Sequence, residues 1–82
     1  MIEWKFNASM NYLGEYHDMF VDGEYANAWI KRVTPSGSQW RFSVVLSEHN
    51  LREYHSQIRD TFAEAQQDGI AWWAARQLEK MR

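Results

Sequence analysis

The chain of 82 residues has room for one domain around one small core, and no repeat, linker or low-complexity tract divides it. It has no cysteine, which excludes disulfide staples and thiolate metal sites, and no run approaches the about 20 apolar residues of a membrane span. The net charge of −2 is unevenly spread: one lysine meets five carboxylates up to Ile30, then five cations meet three carboxylates from Lys31 to Asp60.

No apolar leader follows a basic start, so a cytoplasmic address is expected, with no membrane contact. Five Trp, four Tyr and four Phe supply apolar area that so short a chain needs, since each aromatic removes about 150–250 Å² from water.

Residues 2–6 read as an edge strand, although the first 15 residues also fit a poorly ordered segment. Residues 16–21 read as a strand leading into Asp22-Gly23, a strong two-residue hairpin signal. A short helix over residues 9–20 competes, because Met10, Leu13, His17 and Phe20 share a helical face; Gly14 counts against it. Residues 25–33, rich in aromatic and β-branched side chains, form the next strand. Pro35 and Gly37 in the following Thr34-Pro35-Ser36-Gly37-Ser38 segment suit a turn.

Residues 40–46 then alternate as a half-buried strand. With a bulge at Gly37, Arg32 pairs with Trp40, Ile30 with Phe42 and Ala28 with Val44. Ile30 and the alanines then face the core, while Trp29, Lys31 and Arg41 face outward. A register one residue longer turns Trp29 inward and Arg32 outward; Arg41 stays outside in both.

Residues 47–50 read as a turn, with Asn50 as its left-handed residue. Residues 51–58 return with Tyr54 opposite Val44 and Ile58 opposite Trp40. Thr61 and Glu64 form a capping box that opens a helix running to the C-terminus. On its wheel Phe62, Gln66, Ile70, Trp73, Ala74, Gln77 and Met81 share the inward face, with Ala63 alongside. The expected class is α+β: a three- to four-stranded antiparallel meander packed against one C-terminal helix, forming a single domain over residues 1–82.

No residue set points to catalysis. His17, His49 and His55 are scattered, and no phosphate loop, nucleophile elbow or metal spacing occurs, so neither an enzyme nor a cofactor is expected. Trp72 and Trp73 are neighbours on the helix and point about 100° apart. Trp73 belongs with the core face, and Trp72 falls on the flank, where it either completes the core or stands exposed as an anchor. The carboxylates Glu15, Asp18, Asp22 and Glu24 form an acidic front suited to a basic site on a partner. The outer sheet face offers Lys31 or Arg32, Arg41, His55 and Gln57, a set suited to an anionic partner.

The order of hairpin, Trp40-Arg41-Phe42 strand, third strand and Thr61-x-x-Glu64-Ala65 helix with its many alanines resembles the three-stranded-sheet-plus-helix DNA-binding domains. These are the plant AP2 type and the arm-binding domains of some integrases, and the resemblance covers residues 25–75. It implies a sheet face laid in the DNA major groove, with Lys31, Arg32 and Arg41 as contacts. Size, acidity and aromatic content are also similar in style to small phage and prophage accessory proteins.

The leading expectation is a non-catalytic protein that acts by protein–protein contact, as a regulator or inhibitor of a larger factor or as a homo-oligomer. Trp72 and Trp29 would anchor the contact and Glu15, Asp18, Asp22 and Glu24 would orient it. The alternative is nucleic-acid binding through Lys31, Arg32, Arg41, His55 and Gln57. No small-molecule substrate is expected.

Overall fold

The computed structural model describes residues 1–8, 15–34, 37–47 and 52–80. Strands β1 (Ile2–Phe6), β2 (Tyr16–Val21), β3 (Glu24–Arg32), β4 (Trp40–Ser47) and β5 (Arg52–His55) form one antiparallel sheet in sequence order, followed by helix α1 (Phe62–Lys80). The sheet thus has five strands rather than three or four, because β1 pairs along its whole length with β2. The alternation in β1 explains this. Ile2 and Trp4 pack against the core, while Glu3 points the other way. Residues 16–21 are strand, not the end of a helix; the rest of that competing helix, residues 9–14, and the expected turns at 35–36 and 48–50 lie outside the described residues.

The β2–β3 turn is the two-residue loop expected of Asp-Gly. Asp22 has φ of 51° and Gly23 of 87°, the pair of positive angles that matches the strand twist. Farther along, the pairing slips between Asp18 and Phe20, and Asn27 on β3 takes φ of 57° there, a left-handed conformation that asparagine tolerates. The β3–β4 pairing is Arg32 with Trp40, Ile30 with Phe42 and Ala28 with Val44. Met19, Ala28, Ile30, Phe42 and Val44 consequently form the inner face, closed by Ala65 of α1.

Between β4 and β5, Tyr54 lies opposite Val44, but Trp40 bridges Arg59 instead of Ile58. Ser56 causes the slip. Its N–H donates to the Phe42 carbonyl at 2.9 Å, and its Oγ accepts the Phe42 N–H at 3.1 Å, the place a backbone carbonyl would take. One extra residue then fits before Arg59 rejoins Trp40. Ile58 is left exposed.

Helix α1 opens as the capping box requires: the Glu64 N–H donates to Thr61 Oγ1 at 3.1 Å, and the Thr61 hydroxyl donates to Glu64 Oε1 at 2.9 Å. Arg59 fixes the approach to the helix by a two-pronged pair with Asp68, at 2.8 and 2.9 Å. The inward face differs from the expected one. The buried helix residues are Ala65 and Gly69, with Phe62 packed before them and Trp72 and Trp73 after, and Ile70 is 38 % exposed. Hydrophobic periodicity centres on Ile70 and Trp73, but contact centres on the smallest side chains.

At Gly69 an added Cβ would lie 2.6 Å from Trp4 Cη2 and 3.0 Å from Phe42 Cδ1. The helix rides directly on these two rings, and Trp72 closes over Phe42 at 5.9 Å. Trp72 is therefore half-buried on the core side instead of standing free, with the Arg76 guanidinium over its outer ring face. α1 is not long and apolar enough to cross a membrane.

Helix propensity alone favours alanine over glycine by about 1 kcal/mol. At position 69 overpacking against Trp4 and Phe42 should outweigh it, so Gly69→Ala is expected to lose about 1–2 kcal/mol in urea unfolding. Ile70→Ala should lose less than about 1 kcal/mol, because that side chain is already partly in solvent.

Candidate functional site

The helix covers one face of the sheet, and the register decides which side chains are left on the other. One row across the open face holds Tyr16, Lys31 and Arg41; the next holds Lys5, Asp18, Trp29, Ser43 and His55. These rows line a groove of about 340 Å³, walled by Tyr16, Trp29, Lys31, Val33, Arg41, Ser43, Glu53 and His55. A second groove of about 270 Å³ continues past Tyr16 and Trp29 to Asp18 and Tyr25. Trp29 and Tyr16 belong to both, so the two form one channel with an aromatic ridge.

Lys31 and Arg41 are direct cross-strand partners. Like charges in that position destabilise a sheet by about 0.2–1 kcal/mol. Neither is ion-paired with a carboxylate among the described residues; Lys31 Nζ sits 5.5 Å from the Tyr16 ring, and the Arg41 Nε–H is buried without an acceptor. Beside them, Ser43 Oγ lies 2.6 Å from His55 Nδ1, and His55 Nε2 lies 3.2 Å from a Glu53 oxygen. The chain of hydroxyl, imidazole and carboxylate invites a nucleophilic reading. Ser43 is only 3 % exposed, however, so the contact orients an exposed imidazole more than it presents a hydroxyl. Tyr25, across the ridge, has its phenol pushed above the ordinary range by burial and then by the charge of Asp18.

The expected candidates divide between two faces. Trp29, Lys31, Arg41 and His55 are brought together in the channel, with Asp18 at its far end. Arg32 is not on the outer face. It lies on the helix side, where its guanidinium stacks 4.7 Å from the Trp40 ring and donates to the Gly37 carbonyl at 2.9 Å and to Glu15 at 3.1 Å. Gln57 also leaves the outer face, because the slip at Ser56 turns it into a groove shared with Trp72, Arg59 and Asp68.

The acidic front is dispersed. Glu15 and Asp22 sit at opposite ends of β2, Asp22 pairing with the Met1 ammonium. Glu24 lies opposite Val21 in a groove that reaches Trp73 on the helix side. Tyr16, Val33, Ser43 and Glu53 also line the first groove and Asn7 and Tyr25 the second, and none of them is a sequence candidate. Placing Tyr16 requires the β2–β3 register on the far side of the Asn27 irregularity, which no local pattern specifies.

Compared with family models, curated proteins and solved structures, the chain matches none. The geometry of the face therefore carries the functional argument. Among the described residues no three His, Asp or Glu side chains gather into a group able to hold a metal.

At the rim of the inner face Glu15 binds two partners at once, Arg32 and, at 2.6 Å, His17. The hydrogen bond with His17 lowers the Glu15 carboxyl most; desolvation opposes it, and Arg32 lowers it further. A carboxyl depressed by folding stabilises the fold above its unfolded value of about 4.3, and that contribution is lost as pH falls through the folded value. Glu15→Gln should therefore flatten the fall in thermal midpoint between about pH 5 and pH 3. An acid limb identical to that of the parent would show that the Glu15 contacts contribute nothing to acid stability.

Proposed function

We propose that this chain is a non-catalytic binding module that docks a protein partner on the open face of its sheet, with Trp29 as the anchor. The observation that carries the reading is the place of Trp29, on the ridge between two grooves of the open face and away from the core where Trp4, Trp40, Trp72 and Trp73 are packed. An aromatic side chain between a polar rim and a concave surface is the usual form of an interface anchor. A five-stranded antiparallel sheet with one face covered leaves its other face for such a role.

Charge favours a protein over a nucleic acid. The outer-facing positions include Lys5, Lys31 and Arg41, but Glu3, Asp18 and Glu53 are interleaved with them. A polyanion laid along the face would meet Glu3, Asp18 and Glu53 as well as the cations, whereas phosphate neutralisation normally supplies much of its affinity. A protein surface with both signs suits the pattern better. The expected role as a regulator or inhibitor needs no more than this face.

A random peptide library selected on the immobilised chain tests the reading. Enriched peptides should shift the amide resonances of β3 and β4 around Trp29, and Trp29→Ala should weaken them by about 30-fold or more, the loss of about 2 kcal/mol expected of an anchor. Peptides that footprint on the exposed side of α1, or that bind Trp29→Ala unchanged, would contradict it.

A further inference from the structure

We infer that the Lys31–Arg41 corner of the channel is a subsite for one phosphoryl group carried on a side chain of the protein partner. The inference rests on the protein-docking reading above and names the chemistry it recognises.

Two cations side by side on an open sheet are unfavourable by themselves, and no carboxylate among the described residues pairs with either. The nearest acid lining the same groove, Glu53, is engaged with His55. The Arg41 Nε–H is buried and unbonded, a donor already stripped of water and short of an acceptor. A ligand oxygen at that corner would accept from Lys31 and from the part of Arg41 that lines the groove, and would lie between the two positive charges; the buried Nε–H itself is out of its reach.

The charge count selects the group. A carboxylate would neutralise one of the two cations, whereas a phosphomonoester carries about −1.5 to −2 at pH 7 and matches both. Arginine adds a planar fork for two of the phosphate oxygens, and lysine adds a point charge. The groove of about 340 Å³ has room for one such group and a short arm. Tyr16 and Trp29 beside it offer ring surface to whatever carries the phosphate. Glu53 lines the same groove and Asp18 the one beyond the Tyr16–Trp29 ridge, so a second phosphate continuing toward either would be repelled.

The test is an NMR titration of the full chain with phenyl phosphate, inorganic phosphate, phenylacetate and decathymidylate. Phenyl phosphate should move the amides of residues 29–31 and 41–43 saturably, at least tenfold tighter than phenylacetate and tighter than inorganic phosphate. Lys31→Gln and Arg41→Gln should each weaken it tenfold or more with otherwise folded spectra, since both side chains lie on the solvent side of the sheet. Equal affinity for phenylacetate, indifference to either substitution, or no saturable shift overturns the subsite. Inorganic phosphate binding as well as phenyl phosphate overturns the claim that the group arrives on a side chain seated at Trp29. If phosphate-free peptides still footprint on Trp29, the docking reading survives that failure. Decathymidylate binding more tightly than phenyl phosphate at the same residues overturns both.

Discussion

The close approach of Gly69 to Trp4 and Phe42 is the contact on which the rest of the architecture depends. A helix that rests on two ring edges through a residue without a side chain must turn its smallest positions inward, which is why Ala65 is the other fully covered helix residue. The large aromatics then work as supports on either side. Phe62 packs on Trp40 at 5.0 Å at the start of the helix, and Trp72 and Trp73 pack at its middle, 6.5 Å from each other. A domain this small buries a limited fraction of its surface, so spending nearly all its tryptophan on one face is how it reaches a stable core.

That economy fixes what remains for function. With Trp4, Trp40, Trp72 and Trp73 committed to the helix side, Trp29 is the tryptophan left on the open sheet, next to Tyr16 and two cations. On the core side, charge is handled differently. Arg32 occupies an inner-face position but runs its stem along Trp40 to end on Glu15 and Gly37. Arg41, nine positions later and on the other face, has no such partner among the described residues. Two arginines on neighbouring strands thus meet opposite fates, one neutralised at the rim of the core and the other left with an empty donor beside Lys31.

Much of the sheet was legible in the sequence. Asp22-Gly23 and the alternation of residues 40–46 are local signals, and of the two β3–β4 registers that the sequence allows, the one that turns Ile30 inward with Phe42 and Val44 is the one observed. What escaped was set by contacts that no pattern carries. The inward face of α1 follows close approach at Gly69, not the spacing of its bulky residues. The end of β5 follows a serine hydroxyl that substitutes for a backbone carbonyl at Phe42. The channel itself could be half read: Trp29, Lys31, Arg41 and His55 were candidates, but Tyr16 lies beyond an irregularity at Asn27 that shifts the pairing.

In the proposed subsite Arg41 is held for a ligand and not for the fold. Unfolding of Arg41→Met at low ionic strength tests it most directly, since methionine keeps the apolar stem and removes both the unbonded donor and the repulsion from Lys31. The variant is expected to be as stable as the parent or more stable by up to about 1 kcal/mol, with the difference narrowing as salt screens the pair. A loss of more than about 1 kcal/mol would show that the guanidinium supports the fold and would contradict a ligand-binding role for Arg41.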